Sequence, residues 1–199
     1  MSLREHSIYD CIINNARNYS DEIALVSGDL RLTYAEVPSH VNSLARGLLN
    51  TGFEKGDRIG VLLNNCAEYA LLLAACTRIG LITVCLNTRT SSDEMRKILE
   101  QAKPKALIFQ KSYEQQADEL RDLHIHRQLY CIDEASILSS SFDQLLDEDP
   151  SALTEPQPAI DDGWLIIPTA AVDGIPKGAL LSQRNVMASA DVHLHHFGR

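Results

Sequence analysis

The stretch RIGVLLNNCAEYALLLAACTRIGLITVC, residues 58–85, decides the fold. It opens on Arg58–Leu63, an apolar run of strand length. Asn64 and Asn65 break that run, and Ala67–Ile79 follows as an apolar segment long enough for a helix. Gly80 stops the helix, because glycine takes a left-handed conformation without a Cβ penalty. Leu81–Cys85 is then a second strand. The most apolar part, Ala67 to Leu86, is interrupted by Glu68, Arg78 and Gly80, whereas a membrane-spanning helix needs about 20 predominantly apolar residues. It reads as a buried helix leading into a buried strand.

The same alternation extends both ways. Upstream, residues 8–20 form a helix, and Gly28-Asp29 between Glu22–Val26 and Leu30–Thr33 is a hairpin signal. Thr33 with Glu36 makes a capping box, after which Val37, Val41, Leu44, Ala45, Leu48 and Leu49 recur at helical spacing until Gly52. Downstream, Ser91 and Glu94 form a second capping box for a helix over Ser92–Ala102. Pro104 precedes a strand over Lys105–Phe109, a helix covers Tyr113–Leu123, and Gln128–Ile132 is a further strand. Strands separated by helices predict an α/β fold: an open, mostly parallel sheet with helices on both faces. Residues 148–163 hold three prolines and five acidic side chains with little to bury. They read as a linker between a Rossmann-like unit, residues 1–147, and a strand, loop and helix in residues 164–199.

Composition narrows the function. With 27 acidic against 18 basic residues the net charge is −9, and nucleic acid or an anionic membrane is a poor partner for such a surface. Five cysteines, odd in number, widely spaced and without a CxxC pair, suit reduced thiols in a cytosolic protein. The mixed, charged start Met1–His6 lacks the apolar core of a secretory signal. Cys66 and Cys85 sit in apolar surroundings and read as inert. His193, His195 and His196 crowd the C-terminus without a carboxylate or cysteine to complete a metal set, so no metal ligands are assigned. Arg89 reads as one half of a structural ion pair. No Ser-His-Asp pattern, paired-carboxylate motif or GxGxxG fingerprint is present.

One motif carries chemistry. The apolar residues Ile166 and Ile167 lead into Thr169-Ala170-Ala171-Val172-Asp173-Gly174-Ile175-Pro176-Lys177-Gly178. Small side chains leave backbone N–H groups free to point at anionic oxygens, Gly174 admits a positive φ, Pro176 stiffens the exit, and Lys177 adds a point charge. This is a phosphate-loop pattern. It resembles the Thr-Ser-Gly-Thr-Thr-Gly-x-Pro-Lys-Gly loop of the adenylate-forming superfamily of acyl-CoA synthetases and peptide-synthetase adenylation domains. Thr169, Gly174, Pro176, Lys177 and Gly178 match in place, while Ala170, Ala171, Val172 and Asp173 replace hydroxyl and glycine positions. Leu181-Ser182-Gln183-Arg184-Asn185 is similar to the family's Leu-Thr-His-Arg-Asn, which opens a helix. Leu32–Glu36, Leu44–Leu48, Gly52–Gly60, Asn64–Glu68 and Leu86–Arg89 fall, in order, where the family has its own versions.

The resemblance implies an N-terminal portion of the family's large domain, from an AMP-forming acyl-CoA synthetase that adenylates a fatty or aryl acid and passes the acyl group to CoA. ATP, Mg2+ and CoA are the implied co-substrates. Thr169, Ala170, Ala171, Val172, Asp173, Gly174 and Lys177 are the implied nucleotide-binding residues, with no catalytic residue in this stretch. The missing C-terminal regions of the same polypeptide are implied partners, and the resemblance leaves room for a homodimer. By itself the 199-residue chain is expected to be inactive. Asp173 cuts against the loop's role: two like unit charges about 4 Å apart at an effective dielectric of about 20 repel by roughly 4 kcal/mol. Two readings therefore stay open, a divergent loop that still binds ATP and an interaction module whose loop has lost that task. Adenylation that loads a carrier protein is a third.

Overall fold

The computed structural model describes residues 6–123, 128–134, 138–169 and 177–197. In chain order the elements are α1 (Ile8–Asn18), β1 (Ile23–Ser27), β2 (Leu30–Thr33), α2 (Val37–Asn50), β3 (Arg58–Leu62), α3 (Ala67–Ile79), β4 (Ile82–Cys85), α4 (Ser92–Ala102), β5 (Ala106–Phe109), α5 (Glu114–Glu119), β6 (Gln128–Cys131), β7 (Ser140–Ser141), β8 (Gly163–Thr169), β9 (Lys177–Ser182) and α6 (Gln183–Phe197). The strand, helix and strand expected over residues 58–85 are present, and Gly80 caps α3 at φ 77°. The expected helix over 113–123 is shorter, with α5 flanked by 3-10 turns at Lys111–Tyr113 and Arg121–Leu123.

β1 and β2 form a separate antiparallel hairpin in which Ser27 pairs with Leu30, and Gly28 at φ 57° makes the two-residue turn. The main sheet has seven strands in the order β7-β6-β5-β3-β4-β8-β9. All neighbours are parallel except β8 and β9, which are antiparallel. Side chains alternate across it as strand geometry requires. Ile59, Val61, Ala106 and Ile108 pack with α1, α2 and α3 on one face, whereas Leu62, Leu107 and Phe109 pack with Met95, Leu99, Ala117 and Leu120 of α4, α5 and the following turn on the other. The helices thus cover both faces, and α3 is apolar nearly all round because α2 and the sheet enclose it.

Two local expectations shift. The Thr33–Glu36 box forms by half: Glu36 Oε2 accepts from the Thr33 N–H (2.8 Å) and hydroxyl (2.9 Å), but Glu36 itself is the N-cap and α2 starts at Val37. Pro38 explains this, because a proline has no N–H for a carbonyl four residues back and fits only in a first turn. Conversely, α1 has a full capping box, Ser7 with Asp10, which the sequence reading passed over.

Residues 148–162 carry neither helix nor strand, yet they are tied along their length. Arg46 donates to the carbonyls of Asp149 and Ser151, and Arg78 Nη2 donates to those of Leu153 and Glu155 at 2.8 Å each. Leu153 is buried, Lys55 pairs with Asp162 at 2.6 Å, and Arg184 grips Asp161 with two nitrogens at 2.6 and 2.9 Å. The strand that follows, β8, hydrogen-bonds to β4 in the same sheet as β3, β5 and β6.

A candidate nucleotide-binding hairpin

In open parallel sheets, ligands bind beyond the carboxyl ends of the strands. β8 runs parallel to β4, so Thr169 emerges on the edge where β3 and β4 end. β9 runs antiparallel beside β8, with Thr169 paired to Lys177, Pro168 to Gly178 and Ile167 to Ala179. The Thr169 hydroxyl donates to the Lys177 carbonyl at 3.1 Å. The two residues that flank the predicted loop are thus cross-strand partners at the end of an antiparallel pair. Thr169 and Lys177 are both exposed, and the Lys177 ammonium makes no ion pair with the described residues. Ala170, Ala171, Val172, Asp173 and Gly174, with Ile175 and Pro176, lie outside the described residues.

β9 passes directly into α6, and this junction is a helix start in chemical detail. The Asn185 N–H donates to the Ser182 hydroxyl at 3.3 Å, while Asn185 Oδ1 accepts from the Ser182 N–H at 3.0 Å. The two residues thereby satisfy each other's backbone donors, as a capping box does.

The other crevice this topology offers is at the ends of β3 and β5, where the strand order reverses. Its polar groups are used internally: Asn64 Nδ2 donates to Gln110 Oε1 at 3.1 Å and the Tyr113 hydroxyl donates to Asn64 Oδ1 at 2.7 Å. A groove of about 670 Å3, whose lining includes Leu25, Val26, Cys66, Tyr69, Cys85 and Ile167, runs beside the hairpin. Burial raises the Cys66 thiol to about 11, and it raises the Cys85 thiol although a hydrogen bond with Tyr69 pulls the other way. Neither is a nucleophile near neutral pH.

His193 Nδ1 and His196 Nδ1 lie 2.8 and 2.9 Å from the Ser189 and Val192 carbonyls one turn back, the His195 side chain lies outside the described residues, and no group of three metal-ligating side chains occurs among the described residues. Arg89 is a correction. Its guanidinium is exposed and forms no ion pair with the described residues, the ordered contact there being its N–H to Asn87 Oδ1 at 3.0 Å. A turn closed by Asn87 leaves the long side chain pointing to solvent, where an ion pair would contribute little. The sequence reading missed Trp164 and Gln183, which bind both strands at the base of the hairpin to α3 through Leu73 and Thr77.

The fold as a whole recurs in known proteins. The chain is 28% identical over 179 residues to 4-coumarate--CoA ligase 1 of Petroselinum crispum, covering 88% of this chain and 32% of that protein. It is 31% identical over 167 residues to indoleacetate--CoA ligase of Aromatoleum aromaticum, covering 81% and 33%. A crystal structure from Rhodopseudomonas palustris, assigned as a long-chain-fatty-acid CoA ligase, superposes with a TM-score of 0.88 at 28% identity, covering 98% of this chain and 49% of that one. The chain thus spans about a third of the length of these curated relatives. The family model described as AMP-binding enzyme matches residues 13–198, and the chain belongs to that family.

Proposed function

We propose that the β8–β9 hairpin is the phosphate-binding element of an ATP-dependent, AMP-forming carboxylate–CoA ligase, and that this chain forms the N-terminal part of that enzyme. The observation that carries the reading is the exposed ammonium of Lys177, unpaired among the described residues, at the mouth of a hairpin on the carboxyl edge of the sheet. Thr169, Ala170, Ala171, Val172, Asp173, Gly174 and Lys177 hold the β and γ phosphates of ATP. With small apolar side chains at 170–172, the grip comes from backbone N–H groups, the Thr169 hydroxyl and Lys177. Bound ATP with Mg2+ supplies the adenylyl group that activates the acid. Mg2+, as the counter-ion of ATP, would offset the repulsion between Asp173 and the phosphates.

The acid is a fatty or aryl carboxylate and the acceptor is CoA. This reading is supported by the names of the relatives, which act on 4-coumarate and indoleacetate, and by the medium-chain acyl-CoA ligase of Homo sapiens, 32% identical over 116 residues. The chain spans about a third of its curated relatives' length, and in this reading it is inactive by itself. Five free cysteines suit a reducing, cytosolic compartment. The second reading, a non-catalytic module, is favoured by the loss of hydroxyl and glycine positions at 170–173.

The test is ATP–pyrophosphate exchange by the polypeptide as its gene encodes it, across a panel of fatty and aryl acids. Acid-dependent exchange supports the ligase. Absence of exchange with every acid, in a folded sample, establishes the module instead.

A further inference from the structure

We propose that Trp164 and Gln183 are positioning residues, which clamp both strands of the β8–β9 hairpin at its base to a single helix and so fix the pose of β8 and β9. Trp164 is the second residue of β8, and Gln183 follows β9 directly. The Trp164 indole N–H donates to the Leu73 carbonyl at 3.1 Å, and the Gln183 side-chain amide donates to the Thr77 carbonyl at 3.4 Å. Leu73 and Thr77 are one turn apart on α3, so their carbonyls point the same way along one stripe of the helix. Both anchoring side chains are buried, at 7% and 2% exposure.

The chemistry of the two acceptors explains why these bonds matter. Thr77 lies in the last turn of α3, where carbonyls have no intrahelical N–H to accept from. The backbone bonds that close this end go to Cys76, from Gly80 and Leu81, leaving Thr77 for Gln183. The same amide uses its oxygen to accept from the Ile8 N–H at 3.0 Å, an orphan donor at the start of α1. One buried amide therefore satisfies the end of α3 and the beginning of α1 while holding the exit of the hairpin. β9 is the outermost strand of the sheet and is exposed along most of its length. Its pose consequently depends on its pairing with β8, on these two anchors and on the Arg184–Asp161 pair beside them. The position of Lys177, five residues from the end of β9, follows from them.

The proposal's consequence for nucleotide binding rests on the reading of the hairpin given above, but the clamp has its own readout. Amide hydrogen exchange on the nucleotide-free chain is compared for wild type, Trp164→Phe, Gln183→Met and Gln183→Glu. Trp164→Phe keeps a buried ring and deletes the indole N–H; Gln183→Glu keeps an acceptor for Ile8 and deletes the donor to Thr77. The expected result is faster exchange, by about tenfold or more, confined to residues 165–169 and 177–182, with β3 and β5 unchanged. Unchanged exchange in the hairpin overturns the clamp, and so does acceleration that merely keeps step with β3 and β5, which is what general destabilisation gives. If Gln183→Met does not fold, Trp164→Phe and Gln183→Glu decide. In the encoded polypeptide the same variants raise the KM for ATP while kcat for bound substrates changes less. Failure of wild type to bind ATP, with confined acceleration present, sinks the nucleotide reading and leaves the clamp standing.

Discussion

The Thr169 hydroxyl donates to the carbonyl of Lys177, its cross-strand partner, at 3.1 Å. The bond fastens the last described rung of the β8–β9 ladder. Thr169→Val keeps the branched shape and removes the donor, and Thr169→Ser keeps the donor. The site is exposed, so the loss in stability is at most about 1 kcal/mol. ATP affinity falls severalfold in the valine variant and is close to wild type in the serine variant, as calorimetric titration of the encoded polypeptide measures.

Gly47 has a steric role. A Cβ built there lies 1.9 Å from the Leu145 carbonyl oxygen and 2.6 Å from its carbon, both backbone atoms that cannot swing aside. Ser43 and Asp147 hold that segment in place through a side-chain bond of 2.6 Å and a backbone bond of 3.2 Å. Gly47→Ala therefore forces α2 away from residues 142–147 and costs about 2–4 kcal/mol. Urea denaturation shows a lower midpoint with a similar slope.

The Asp161–Arg184 pair gives a pH dependence. Hydrogen bonds from Arg184 hold the Asp161 carboxyl below its ordinary 3.8. A folded-state value below the unfolded one means that the contribution is present in full above about 3.8 and disappears as the pH falls through the lower value. The difference in urea midpoint between wild type and Asp161→Asn accordingly shrinks between pH 6 and pH 3, and both sites being exposed keeps it small at every pH.

Thiol chemistry follows burial. Cys76 is fully buried and raised to about 12, and Cys66 is raised to about 11 by desolvation. At pH 8 about one Cys66 in a thousand is thiolate, so iodoacetamide labels it slowly, at a rate rising about tenfold per pH unit up to pH 10. Cys76 stays unlabelled until the chain unfolds. Mass spectrometry of timed samples reads both.

The strand–helix–strand core was legible because its signals are local. Apolar length separated helix from strand in residues 58–85, and Gly80 marked the boundary where the structure places a left-handed cap. The capping pattern at Thr33 points to a start of α2 ahead of the observed one, because Pro38, whose missing N–H confines it to a first turn, is the stronger constraint. The stretch 148–163 reads as a linker on composition alone. Its anchors, Arg46, Arg78, Lys55 and Arg184, have nothing in their immediate sequence that names their partners. Trp164 and Gln183 escaped for the same reason, since their carbonyl partners lie 91 and 106 residues away. Of the candidate site, the motif located the strand leading in and the lysine leading out, while the antiparallel return of β9 came only with the structure.

The central claim, that an ammonium at 177 and main-chain amides at the hairpin mouth hold ATP phosphates, is tested most directly by titrating MgATP into the encoded polypeptide and its Lys177→Ala variant. The account predicts saturable binding by wild type, weakened about tenfold or more by the substitution, about 1.4 kcal/mol, with the same thermal midpoint in both proteins. Equal affinity in the two, or no binding by folded wild type, contradicts it.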